Sequence, residues 1–367
     1  MKKITLLLCL CIVMFAACED TADNNKGSSS QNNDSINIVK VEAKELLSPY
    51  GEDPSGETAE AARAVAGGAN DFAFRLGSAL VKDSGDKNFV CSPYSVWLPL
   101  AALVNATDEP NKAVLTEALG ASGIAEADIN KAASRMLYNL TKMEDKGCTG
   151  YYNPLRIANA IFVDKKVTLR KDFAQTFMDF YRGASINVDF TSKDAVDAVN
   201  RWASDNTEGL IKDLIQESDP ETVAAIANAI YFSDRWGWEF NLNQTKEDVF
   251  HAKDGEESKA FYMLRQGTGQ YYYEDEKVQA IPLSFEHNGV MYIILPKKDT
   301  GTDAAELLSS MTNEYFDKIR FEEAEGKLLL PRFSIENDII DLKDALVSLG
   351  VPLFEGAPLT GLIRVCL

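Results

Sequence analysis

Two stretches constrain this chain more than anything else in it. Residues 157–163 read Ile-Ala-Asn-Ala-Ile-Phe-Val, and residues 223–232 read Val-Ala-Ala-Ile-Ala-Asn-Ala-Ile-Tyr-Phe. A strand with one wet face alternates polar and apolar residues. These runs are nearly all apolar or small, so they read as strands with both faces buried. The chain must therefore build a sheet that is covered on both sides.

Around these runs the pattern is mainly helical first and strand-like later. Phe72, Leu76, Leu80 and Val81 recur near helical spacing in a segment that begins at Ala59. Residues 82–87 read as a polar turn. Ser92 stands where it can cap a helix running to Val104, and Pro93 then takes the first helical position, where its missing N–H costs nothing. Further helices are expected at 111–119, 126–143, 170–181 and 193–207, and further strands at 278–283, 290–295 and 328–333. Residues 36–47 alternate weakly, as a short strand or a tail, and 49–56 are turn-rich. Helices early and strands late indicate an α+β fold rather than a regular βαβ alternation.

The N-terminus reads as an address. Lys2 and Lys3 precede an apolar run over 4–17, about 14 residues, too short to span a bilayer core as a helix. The run ends in Phe15-Ala16-Ala17-Cys18. Small residues just before a cysteine resemble the lipobox of bacterial lipoproteins, although Leu is usual where Phe15 stands. That resemblance implies lipidation of Cys18 after removal of residues 1–17, and a chain exported and anchored in the cell envelope, periplasmic or on the cell surface. A plain secretory signal cut near Ala17 is the alternative. A tract rich in Asn, Ser and Asp follows, too polar to bury anything, so 18–58 reads as a flexible tether and tail ahead of a domain over 59–367.

Composition excludes several functions. Asp and Glu number 56 against 37 Lys and Arg, a net charge of −19, and no basic run of five or more occurs. A nucleic-acid surface needs clustered cations, so no nucleic-acid partner is expected. Beyond the leader only Cys91, Cys148 and Cys366 remain, an odd number at wide spacings that fits neither a disulfide framework nor a zinc pattern. Cys91 is expected in the interior. The two histidines, His251 and His287, lie in no catalytic motif, and His287 falls in Glu286-His-Asn-Gly289, a surface turn. Gly267-Thr-Gly269 lacks the third glycine of a dinucleotide loop and reads as a hairpin connection. Glu256-Glu257 and Glu322-Glu323 read as solvated charge. Nothing assembles a nucleophile, a base and an oxyanion donor, so no enzyme, cofactor or metal is expected.

Several motifs, in order over about 300 residues, resemble the serpins. They are Asn88-Phe-Val-Cys-Ser-Pro-Tyr-Ser95, Leu155-Arg-Ile-Ala-Asn-Ala-Ile-Phe-Val163, and Val188-Asp-Phe190 with Asn200-Arg-Trp202. Asn228-Ala-Ile-Tyr-Phe232 with Trp236 and Phe240, then Tyr292-Ile-Ile-Leu-Pro296, Leu330-Pro-Arg-Phe333 and Leu359-Thr-Gly361, complete the series. One departure is Asn105-Ala-Thr-Asp108, where serpins carry Gly-Ala-x-Gly. The resemblance implies helices packed around a large central sheet A, with sheets B and C. It also implies a spring mechanism. A protease cuts an exposed loop, forms an acyl-enzyme, and is dragged away and distorted as the loop inserts into sheet A. By the same resemblance Ser92, Ser95 and Asn228 lie at the shutter beneath sheet A, and Trp236 at the breach where insertion begins.

The family's hinge, Glu-Glu-Gly-Thr followed by alanines, has no counterpart here. Phe321-Glu-Glu-Ala-Glu-Gly326 is similar only in composition, because Leu330-Pro-Arg-Phe333 follows it rather than preceding it. The expected fold is therefore serpin-like but incomplete at the C-terminus, without a reactive bond. The expected partner is a serine or cysteine protease once the missing segment is supplied. A non-inhibitory surface lipoprotein and a degraded gene product remain alternatives.

Overall fold

The computed structural model describes residues 4–7, 11–16, 56–85, 87–141, 155–252, 255–287, 289–336, 339–355 and 359–365. Cys18, Cys148, Cys366 and the tether up to residue 55 lie outside them. The chain divides into two compact units. One is helix-rich (Leu7–Leu76, Cys91–Phe232 and Leu342–Leu367) and the other strand-rich (Met1–Leu6, Gly77–Val90 and Ser233–Asp341).

The first unit is built on the two runs that opened the sequence reading. In chain order its elements include β1 (Ile4–Leu7, its last residue), β2 (Cys11–Ala16), α1 (Gly56–Ser84, to Leu76), α2 (Pro93–Leu103), α3 (Asn111–Ala118), α4 (Glu126–Thr141), β3 (Leu155–Asp164) and β4 (Val167–Leu169). Next come α5 (Lys171–Tyr181), β5 (Gly183–Val188), α6 (Lys193–Asn206) and β6 (Thr222–Asp234), whose last two residues pass into the other unit. The sheet order is β1-β6-β3-β5, with β2 also on β6. β3 is buried from Ala158 to Asp164 and β6 from Ala224 to Ile230, on both faces as their composition requires.

Small side chains let a helix approach one face closely. Ala158 and Ala160 of β3 and Ala225, Ala227 and Ala229 of β6 pack against Val199, Trp202 and Ala203 of α6. Phe162 meets the Trp202 ring edge-on at 5.9 Å. The opposite face carries Asn159 and Asn228, which register directly across the antiparallel β3–β6 ladder.

The apolar run read as a leader is extended here. β2 pairs antiparallel with β6, from Cys11 opposite Asn228 to Ala16 opposite Thr222. The edge of β6 turned away from β3 offers N–H and C=O groups that need partners, and a β-branched, aromatic segment such as Ile12 to Phe15 suits an extended ladder.

The strand-rich unit holds β7 (Lys246–His251), β8 (Glu257–Glu274), β9 (Val278–Ser284), β10 (Val290–Pro296), the short helices α7 (Ala304–Ser310) and α8 (Asn313–Lys318), and β11 (Glu322–Pro331). The order is β10-β9-β8-β11, with β7 also on β8. Three sequence expectations are corrected here. Gly267 and Gly269 do not turn a hairpin; β8 runs straight through them, and their positive φ values of 121° and 79° accompany a register slip opposite Ala324 and Gly326. Such a bulge bends a long strand without ending it. The strand expected at 328–333 begins at Glu322, because its charged residues occupy exposed positions. The turn expected at 82–87 starts later, since α1 continues to Ser84. Two last elements, α9 (Lys343–Ser348) and β12 (Ile363–Val365), return to the helix-rich unit, where β12 pairs with β4. Cys91, expected in the interior, is half-buried.

Candidate functional site: an amide seam and an aromatic corner

The cap read at the start of α2 is present. Ser92 Oγ accepts the Ser95 backbone N–H at 3.3 Å and the Ser95 hydroxyl at 3.0 Å, and α2 is buried from Ser95 to its end. Among the described hydrogen bonds, these two hydroxyls bond to each other and neither reaches Asn228.

Asn228 is wholly buried and belongs to a different chain of contacts. Its amide donates to Asn159 Oδ1 at 2.8 Å, across the β3–β6 pair. The Asn159 amide in turn donates to the backbone carbonyl of Tyr181, also at 2.8 Å. The Tyr181 hydroxyl donates to Asn130 Oδ1 at 2.7 Å, and Asn130 and Asn105 exchange amide hydrogen bonds at 2.8 and 2.9 Å. Five buried or half-buried residues thus link β3 and β6 to α5, α4 and the turn after α2 without using a charge. Burial raises the Tyr181 hydroxyl far above the ordinary tyrosine range, so it stays a neutral donor. Asn105 stands at the departure from the serpin pattern, and its side chain has taken Asn130 as partner. Among the described residues, Asn228 Oδ1 is buried with no hydrogen-bond partner.

Trp236 lies in the strand-rich unit. Its ring stacks on Phe285 at 4.8 Å and 7°, and Phe240 meets it edge-on at 5.8 Å. The backbone locks the same corner. Trp236 bridges to Phe285, Gly237 N–H donates to the Ser284 carbonyl at 2.8 Å, and Glu286 N–H donates to the Arg235 carbonyl at 2.9 Å. A Cβ on Gly237 would stand 3.0 Å from the Phe285 carbonyl oxygen, which accounts for glycine there. Arg265 lies between the rings of Trp238 and Phe240, its guanidinium 4.9 and 4.8 Å from their centres. Burial lowers its pKa from the usual arginine value.

His287 departs from the surface position expected of it. It sits in a turn, as its neighbours imply, but its side chain is only 15% exposed. Its Nδ1 lies 2.8 Å from Asp234 Oδ1, and its backbone N–H donates to Asp234 Oδ2 at 3.0 Å. The Asp234 side chain is fully shielded from solvent. The turn is drawn inward because a buried carboxylate needs hydrogen-bond donors.

The profile of the serpin family (serine protease inhibitor) matches residues 67–364. An uncharacterized serpin-like protein of Methanosarcina mazei is 26% identical over 362 residues, covering 95% of this chain and 77% of its own length. A serine protease inhibitor of Mus musculus is 28% identical over 286 residues, 77% of this chain and 67% of its own. Among solved structures, the thermophilic serpin tengpin in its latent state superposes with a TM-score of 0.69 at 25% identity, covering 82% of this chain and 80% of that one.

Proposed function

The chain belongs to the serpin family, whose type of function is protease inhibition rather than catalysis, and from that premise we propose that its body is the sprung part of an endopeptidase trap. The targets are serine endopeptidases, with cysteine endopeptidases as the alternative class. The observation that carries the reading is the second edge of β6. β3 occupies one edge, and the other accepts an added antiparallel strand, β2, over six residues. A sheet whose central strand takes a further antiparallel partner has the property that loop insertion requires. Asn228 lies on that central strand and holds β6 to β3 through Asn159, so it keeps the inner seam closed while the outer edge exchanges strands.

Residues 1–367 contain no hinge run, so this polypeptide tested alone is expected to form no SDS-stable complex with a serine protease. A hybrid carrying the hinge, loop and terminal strands of a serpin relative after residue 361 is expected to form one. A covalent complex with residues 1–367 alone would contradict the reading. So would a folded hybrid that proteases only cleave.

The address is a second part of the proposal. Cys18 is the lipidated residue, holding the chain to the cell envelope, and loss of residues 1–17 then vacates the β6 edge. Cys18→Ala is expected to move the protein from the membrane to the soluble fraction. Unchanged fractionation would refute lipidation.

A further inference from the structure

We propose that Asp234, Glu286 and His287 form a divalent-metal site of the transition-metal class, tying the end of β6 to the β9–β10 hairpin. One ligand atom from each residue lies within 4.8 Å of the other two. The three come from two segments that the backbone already fixes, through the Glu286-to-Arg235 and Gly237-to-Ser284 hydrogen bonds. The Asp234 and His287 ligand atoms are therefore in place before any ion arrives, which is the costly part of building a site.

Asp234 supplies the strongest argument. Its side chain is fully shielded from solvent. Among the described residues its hydrogen-bond partners are the backbone N–H groups of Arg235 and His287 and the His287 ring, with no lysine or arginine side chain. A buried carboxylate calls for positive charge close by, and a metal ion supplies it in the most compact form. The entry side is open, since Glu286 is exposed and the His287 side chain keeps 15% of its surface.

One imidazole and two carboxylates, with water completing the shell, suit Zn²⁺, Mn²⁺ or Co²⁺ better than Mg²⁺, which prefers an all-oxygen octahedron. Asp234 Oδ1 and His287 Nδ1 stand a hydrogen bond apart, at 2.8 Å. With the ring hydrogen on Nε2, Nδ1 is free of hydrogen and would serve as the ligand atom, the ion taking the place of the Asp234–His287 hydrogen bond. Glu286 closes the third position by rotation of its exposed side chain.

The test is titration of the full chain with Zn²⁺ by calorimetry, beside Glu286→Gln, His287→Gln and a Mg²⁺ control. All three proteins keep the same cysteines, so binding by thiolate cancels in the comparison. The expected result is one equivalent of Zn²⁺ binding that weakens at least about tenfold in each variant and is not matched by Mg²⁺. Glu286→Gln keeps the Asp234–His287 hydrogen bond, and its thermal midpoint measured beside the parent's separates lost binding from lost folding. Zn²⁺ binding equal in parent and Glu286→Gln, or Mg²⁺ binding as tight as Zn²⁺, would overturn the site.

Discussion

The amide seam at Asn159 and Asn228 is held by neutral groups alone, whereas the corner at Trp236 is held by stacked rings beside a buried carboxylate and an imidazole. Both lock a strand, the seam wholly buried and the corner half-buried, but they answer to different variables. The seam offers nothing to titrate near neutral pH, and its bonds survive only where water is excluded. The corner joins apolar area, which any ring of similar size could supply, to a carboxylate–imidazole hydrogen bond.

The largest expected effect is on the seam. Asn159→Ala leaves both the Asn228 amide and the Tyr181 carbonyl without a partner, and is expected to cost about 3 kcal/mol in denaturant unfolding. The loss should be the same at pH 5 and pH 8. A pH-dependent loss would erase the distinction between the two regions. Next is Trp236→Ala, which removes the stack on Phe285 from a half-buried site and is expected to cost about 2 kcal/mol. Trp236→Phe should restore most of it if ring area is what matters. Failure of that rescue would point to a more specific role for the indole.

The smallest effect tests charge elsewhere in the strand-rich unit. Asp275 is desolvated, which is the largest single influence and pushes its carboxyl up. Hydrogen bonds from Tyr315, the Val278 and Lys277 backbone and Tyr273 together outweigh that and hold it at about 2. An unfolded aspartate titrates near about 3.9. The folded carboxylate thus adds stability above about pH 4, and the contribution is lost as pH falls toward about 2. Asp275→Asn is expected to cost about 1 kcal/mol at pH 7, allowing for solvent screening. The gap between variant and parent should close on acidification. A gap that widens would have the sign wrong.

How much of this could be read in the sequence depended on distance along the chain. The Ser92 cap was legible because donor and acceptor lie three residues apart. β3 and β6 were legible because burial on both faces leaves a mark on every residue. β7 and β8 were not, since all of β7 and much of β8 is exposed, and charged residues hide the strand period. The seam was half legible. Asn228 drew attention through the family resemblance, but Asn159 is 69 residues away from it, Tyr181 lies 22 beyond Asn159, and Asn130 is 51 from Tyr181. Only the register of β3 on β6 and the docking of α5 bring them together. His287 was misplaced for the same reason, because its partner Asp234 is 53 residues upstream.

On the proposed function, β6 has one edge that stays paired with β3 and one that exchanges strands. Amide hydrogen exchange along β6 tests this directly, in the full chain and in a chain that starts at Cys18. Successive N–H groups of a central antiparallel strand point alternately to its two neighbours. Removing residues 1–17 is therefore predicted to speed exchange only at the alternate amides facing β2, while those paired with β3 stay protected. Equal protection in both chains, or loss at both sets of amides together, would contradict it.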